Sequence, residues 1–107
     1  MLKTALLILF FFYTQIACLA AELIRPANGS TLNYIHVLFE WEQVENALEY
    51  EFQLSEFTDF SSTLVNTSAT NPYYIDEENI DWESNYYWRV RPLNGEWMGP
   101  NGFSTNE

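Results

Sequence analysis

The segment Asn85–Pro92 has the sequence NYYWRVRP, in which two sets of side chains alternate. Successive side chains of a strand point to opposite faces of a sheet, so one set is predicted to be buried and the other solvated. The predicted buried set consists of Tyr86, Trp88 and Val90. The predicted solvated set consists of Tyr87, Arg89 and Arg91. The segment therefore predicts a strand with an aromatic inner face and a cationic outer face.

The same alternation occurs upstream in residues 36–42 and 48–55, where Trp41 and Tyr50 fall on the predicted inner face. Shorter strands are predicted at residues 22–26, 63–67, 73–75 and 103–107. Residues 27–31 are predicted to form a turn, because Asn28 and Gly29 tolerate positive φ angles. About seven short strands with turn signals roughly every ten residues predict an all-β fold, an antiparallel immunoglobulin-like β-sandwich.

Residues 1–20 have the pattern of a secretory signal peptide: Lys3 precedes an apolar run, and small residues precede a cleavage point after Ala20. The run is shorter than the roughly 20 residues of a membrane-spanning helix, so no membrane span is expected after its removal. The alternative is a lipoprotein acylated at Cys18, which would be anchored to a membrane surface. The protein is therefore expected to be secreted or to lie on the cell surface.

Residues 21–107 are predicted to form a single domain, because a chain of this length builds one hydrophobic core. The last predicted strand has room for only residues 103–107 before the sequence ends. It is therefore expected to be truncated, and the chain is expected to be part of a longer, multi-domain protein.

The chain is acidic, with 15 Asp and Glu residues, four Lys and Arg residues and a formal net charge of −11. Lys3 lies in the predicted leader, so the predicted domain keeps only arginines as cations. Nucleic acid is excluded as a partner, because its binding needs a basic patch. The charge is interpreted as a means of keeping the domain soluble. The alternative is a surface for divalent cations or for a basic partner.

Several short motifs of the predicted domain follow one known pattern. Residues 26–30, PANGS, fit a P-x-N-G opening, and residues 47–55, ALEYEFQLS, fit an A-x-x-Y-x-x-x-x-S third strand. Further matching positions are Trp41 on the second strand and, around the sixth strand, Ile80, Tyr86 and Val90. In these features about residues 23–105 resemble a fibronectin type III domain of the kind found in bacterial surface proteins. The sequence departs from the family pattern in its acidic segment, from Asp76 to Glu83, and in its short last strand.

The cysteine and tryptophan positions distinguish this sequence from an immunoglobulin domain, which has cysteines on its second and sixth strands and tryptophan on its third. Here Cys18 is the single cysteine and lies in the predicted leader, while Trp41 lies on the second strand. A core held by aromatic packing without a disulfide is therefore expected. Its signature residues are Trp41, Tyr50, Tyr86, Trp88 and Val90. The resemblance implies that the Tyr86 hydroxyl bonds to backbone near residues 80–82.

No group of residues predicts catalysis. His36 is the single histidine and begins a strand, and no thiol remains once Cys18 is removed, so a relay of hydroxyl or thiol with imidazole is not expected. We therefore predict a protein that is not an enzyme and has no cofactor.

The acidic segment between Asp76 and Glu83 contains the best candidate calcium ligands, because calcium prefers several oxygen ligands. They are Asp76, Glu77, Glu78, Asn79 and Asp81. The segment lacks the D-x-[DN]-x-[DN]-G order that makes such a spacing specific. It is therefore predicted to be a solvated loop without metal, and calcium binding stays an open alternative.

The candidate binding face consists of Tyr87, Arg89, Arg91 and Trp97. Arginine and tyrosine are enriched in interface hot spots, so a protein or glycan partner is expected, or a role in spacing neighbouring domains. Tyr87 is expected to pack between Arg89 and Glu51 with a cation–π contact. The alternative is a carbohydrate-binding module or an accessory domain of a larger secreted hydrolase, since exposed aromatic rings stack on sugars.

Overall fold

The computed structural model describes residues 20–107. The predicted signal peptide, residues 1–20, lies outside the described residues except for Ala20, and so does Cys18. Both therefore stay predictions. Residues 20–107 contain no helix that is long and apolar enough to cross a membrane.

Eight strands form two sheets that pack face to face, which confirms the predicted all-β sandwich. The strands are β1 Leu23–Arg25, β2 Ser30–Leu32, β3 Val37–Trp41, β4 Tyr50–Ser55, β5 Val65–Ala69, β6 Tyr73–Asp76, β7 Asn85–Pro92 and β8 Met98–Thr105. One sheet has three strands in the order β1-β3-β6, and the other has five in the order β2-β8-β7-β4-β5. Neighbouring strands are antiparallel except β2 and β8, which are parallel.

The strand β2 was missed by the sequence analysis, which predicted a turn over residues 27–31. Ser30 instead pairs with Phe103 of β8, and the preceding Gly29 N–H donates to the carbonyl of Gly102 at 2.7 Å. After Pro26 the chain thus leaves the three-stranded sheet and joins the edge of the other one. Because β2 has three residues, its pattern is too short to show an alternation.

The last strand begins earlier than predicted, at Met98, and is eight residues long. Gly99 and Pro100 are residue types that commonly end a strand, yet both lie within β8. They are accommodated where the register between β7 and β8 shifts, between Trp88 and Val90. Glycine and proline are common at such bulges, because the ladder of hydrogen bonds is already interrupted there. The predicted start of this strand near residue 103 is therefore wrong, while its truncation and the longer parent protein stay predictions.

Aromatic side chains from both sheets fill the core. Phe39 on the three-stranded sheet meets Phe52 and Trp88 on the five-stranded sheet, with ring centroids 5.0 and 5.1 Å away in edge-to-face geometry. Such pairs add to the roughly 1.5–3 kcal/mol gained by burying each large apolar side chain. The five predicted signature residues are all buried: Trp41, Tyr50, Tyr86, Trp88 and Val90.

Two buried tyrosines also hold loops through their hydroxyl groups. The Tyr86 hydroxyl accepts a hydrogen bond from the Asp81 N–H at 2.7 Å, in the loop before β7. The Tyr50 hydroxyl accepts one from the Val44 N–H at 3.0 Å, in the loop between β3 and β4. Each ring therefore contributes to the core while its polar end fixes the path of a connection.

Candidate functional site

The outer face of the five-stranded sheet carries two cross-strand pairs on neighbouring strands. The register places Gln53 of β4 opposite Arg89 of β7, and Glu51 opposite Arg91. Arg89 Nε donates to Gln53 Oε1 at 2.9 Å, and Arg91 Nε donates to Glu51 Oε1 at 2.6 Å. The two guanidinium groups are thus fixed side by side by partners on the adjacent strand.

Two aromatic rings from outside β4 and β7 complete this arrangement. The Arg89 guanidinium carbon lies 4.0 Å from the centroid of the Trp97 ring and 4.2 Å from that of Phe60. The Arg91 guanidinium carbon lies 4.3 Å from the same Trp97 ring. These distances fit cation–π contact, which adds to the two hydrogen bonds. We call Phe60, Arg89, Arg91 and Trp97 the arginine–aromatic cluster.

Phe60 was not among the predicted site residues. It lies in the loop between β4 and β5, with a φ of 54°, and only the fold brings it back over β7. The sequence analysis did not predict this contact, because Phe60 and Arg89 lie far apart in the sequence. Arg89 itself could have suggested an aromatic neighbour, because guanidinium groups stack favourably on aromatic faces.

The two arginines of the cluster differ in charge balance. Arg91 forms an ion pair with Glu51, and Arg25 on the other sheet forms one with Glu40 at 3.0 Å. Within residues 20–107, Arg89 makes no ion pair, since its hydrogen-bond partner Gln53 is neutral. Arg89 is therefore the one arginine of the described domain whose charge no carboxylate neutralises directly.

Burial lowers the pKa of the Arg89 guanidinium, and the positive charge of Arg91 lowers this pKa further. The charge of Glu51 acts in the opposite direction. An arginine side chain stays protonated under physiological conditions even so, because its pKa is very high. The outer face thus presents a fixed, half-buried cation.

Tyr87 lies on the same face but outside the cluster. Its neighbours in the register are Ser55 on one side and Gly102 on the other. A Cβ atom at Gly102 would come within 3.1 Å of the Tyr87 ring, so the ring rests on the bare backbone of β8. The predicted cation–π contact between Tyr87 and Arg89 is wrong, because the Arg89 guanidinium group lies against the rings of Trp97 and Phe60 instead.

A shallow depression of about 290 Å³ adjoins Tyr87. Amide, hydroxyl and backbone groups predominate in its lining: Asn28, Gly29, Ser30, Asn85, Tyr87, Gly102, Phe103 and Ser104. Asn28 is fixed there because its Oδ1 accepts a hydrogen bond from the Gly102 N–H at 2.8 Å. The sequence analysis did not predict this depression, because residues 28–30 reach the edge of β8 only through the pairing of β2 with β8.

The acidic segment is organised by a single buried carboxylate. Asp76 accepts hydrogen bonds from both the backbone N–H and the side-chain amide of Asn79, at 2.9 and 2.7 Å. Burial raises the pKa of the nearby Tyr74, and the charges of Asp76 and Glu78 raise it further. Nowhere in residues 20–107 do three or more His, Cys, Asp or Glu residues group as a metal site would require. Asp76 therefore closes the loop, with each of its two oxygens accepting one hydrogen bond from Asn79.

Comparison with known proteins supports the fold. No protein-family model matches the chain, and neither does any curated protein. Among solved structures, the protein is similar to an Fn3-like protein from Clostridium thermocellum, with 15% sequence identity and a TM-score of 0.52. The similarity covers 82% of this chain and 90% of the other. It shows a fibronectin type III-like fold, as expected from the sequence, and at this identity it shows the fold alone.

Proposed function

We propose that this protein is a non-catalytic module of a secreted or cell-surface protein, which binds its partner through the outer face of the five-stranded sheet. The fibronectin type III-like fold supports the first part, because this fold generally serves as a scaffold without a catalytic site. The predicted signal peptide, residues 1–20, supports secretion. The observation that carries the binding role is the arginine–aromatic cluster on an otherwise acidic domain.

The cluster has two properties of a recognition site. Tryptophan and arginine are the side chains most enriched where binding energy concentrates, and this face combines both. Its guanidinium groups are already held by Gln53, Glu51 and two rings before any partner arrives. Fixing them on binding then costs little rotamer entropy, which favours affinity.

A second candidate function is that of a carbohydrate-binding module or accessory domain of a larger secreted hydrolase. The observation that favours it is the polar depression beside the Tyr87 ring. A spacer between domains is the remaining alternative, and it requires no partner on this face.

The proposal predicts that Arg89→Ala weakens binding to the partner at least tenfold. Arrays of glycans and of extracellular proteins probed with the purified chain would identify ligands, and titration would give dissociation constants. Arg25→Ala is the matched control, because it removes the same charge from the opposite sheet, and it should change affinity less than twofold. Equal affinity of the two variants would contradict the binding face. Failure of the native chain to bind anything on either array would favour the spacer.

A further inference from the structure

We propose that the outer face of the five-stranded sheet binds an oligosaccharide that carries carboxylate groups, such as a chain of uronic acids. The Arg89 guanidinium would pair with a carboxylate, and the Tyr87 ring would stack on a sugar ring. This inference rests on the proposed function and names the chemistry of its ligand.

Adjacent cross-strand pairs give the first reason. Glu51 neutralises Arg91, whereas Gln53 holds Arg89 without cancelling its charge. The Nε of Arg89 is engaged by Gln53, and within residues 20–107 its two terminal nitrogens make no side-chain hydrogen bond. These two nitrogens form the fork that binds a carboxylate end-on with two hydrogen bonds. The structure thus holds a guanidinium in place and leaves its anion-binding end free.

The position of Tyr87 gives the second reason. It lies two residues before Arg89 on β7, so the two side chains leave the same face about 7 Å apart along the strand. The absence of a side chain at Gly102 lets the Tyr87 ring come close to the backbone of β8. A sugar chain lying along β7 would therefore meet an aromatic ring and then a cation, in that order.

The depression beside Tyr87 gives the third reason. Asn28, Asn85 and Ser104 line it, and side-chain amides and hydroxyls can both donate and accept hydrogen bonds. Sugar hydroxyls need this combination. Asn28 Oδ1 already accepts from Gly102 and Ser104 Oγ is paired with Thr31, so the Asn28 amide nitrogen and the Asn85 side chain are the groups left for a ligand. Peptide recognition would instead favour a predominantly apolar pocket.

The overall charge of the protein limits the class of ligand further. A net charge of −11 repels densely charged polyanions such as nucleic acid. The single unneutralised cation can pair with one carboxylate of such a ligand, and ligand charges more than roughly 8 Å away are screened at physiological ionic strength. Carboxylated oligosaccharides combine the anionic group that Arg89 can bind with stacking faces and hydroxyl groups.

The test uses hexasaccharides of galacturonate, alginate and hyaluronan, each compared with its methyl-esterified form, which lacks the charge. Titrations with the purified chain are run in EDTA, so that divalent cations cannot bridge the acids to the protein. We expect at least one acid to bind ten times more tightly than its ester. Gln53→Glu should abolish this preference, because it gives Arg89 a carboxylate of its own. Glu51→Gln, the matched opposite change on the neighbouring pair, should keep the preference.

A cooperative thermal unfolding transition shows that a variant is folded. If Gln53→Glu is not folded, Arg89→Gln is tested in its place. Three results would each overturn the inference. They are equal binding of acid and ester, no binding to any of the three acids, and an unchanged preference for the acid in Gln53→Glu or its replacement Arg89→Gln. If Arg89→Ala loses the binding of array ligands that are not uronates, and no uronate binds, the inference fails while the proposed binding face stands. If no ligand depends on Arg89, both fail.

Discussion

Replacing Phe52 by alanine is expected to destabilise the domain by about 3–5 kcal/mol. Phe52 is completely buried on β4, which lies between β7 and β5 in the five-stranded sheet. Its ring centroid lies 5.0 Å from that of Phe39, 4.6 Å from Tyr74 and 6.1 Å from Trp88. Alanine would leave a cavity among rigid rings that cannot collapse into it. Small domains are stable by only about 5–15 kcal/mol, so this loss removes much of the total.

Urea unfolding followed by tryptophan fluorescence measures the change, and Phe57→Ala is the matched control. Phe57 lies in the loop after β4 with 52% of its surface exposed, so its replacement should change the free energy of unfolding by less than about 0.5 kcal/mol. Similar losses from both substitutions would show that the aromatic core is not what holds this cysteine-free sandwich together.

Replacing Tyr86 by phenylalanine is expected to cost about 1–3 kcal/mol, although it removes a single oxygen. The Tyr86 hydroxyl accepts the hydrogen bond of the Asp81 N–H at 2.7 Å, and the ring itself is 3% exposed. Phenylalanine keeps the ring contact with Phe103, so only the polar interaction is lost. The Asp81 N–H is then left without its partner in a partly buried loop, which accounts for the cost.

Tyr73→Phe provides the comparison for this hydroxyl, because Tyr73 is 48% exposed on β6 and its hydroxyl makes no hydrogen bond within residues 20–107. Its replacement should leave the midpoint of urea unfolding nearly unchanged. If Tyr86→Phe were equally neutral, the hydroxyl would have no role in holding the loop before β7.

The long strands could be predicted from sequence because their evidence is local. On β3, β4 and β7 every second side chain is buried, and a period of two is visible without knowing any strand partner. The burial of Trp41 and Tyr86 follows directly from that period. The absence of cysteine after Cys18 then separates this sandwich from an immunoglobulin domain.

Strand β2 and the beginning of β8 could not be predicted, because their structure depends on distant partners. Ser30–Leu32 becomes a strand only by pairing with residues more than 70 positions later. Gly99 and Pro100 favour a break locally, yet the register shift in β7 allows β8 to begin at Met98. Local preferences therefore gave the wrong prediction at both places.

The candidate site could be predicted in part for the same reason. The alternation of β7 placed Arg89 and Arg91 on the outer face, but it could not supply their partners. The pairing of Arg89 with neutral Gln53 depends on the register between β4 and β7. The contact with Phe60 depends on how a loop folds back. The charge difference between the two arginines, on which the proposed ligand rests, becomes visible only in three dimensions.

The most direct test of the binding face is a titration of the ¹⁵N-labelled chain with its tightest-binding ligand, followed by NMR. We expect the largest shift changes at the side-chain N–H of Arg89 and at the backbone amides of β7 and its neighbours β4 and β8. The strands β1, β3 and β6 should stay unchanged, since they form the opposite sheet. Shift changes that cluster on that three-stranded sheet, with Arg89 unaffected, would contradict the binding face proposed here.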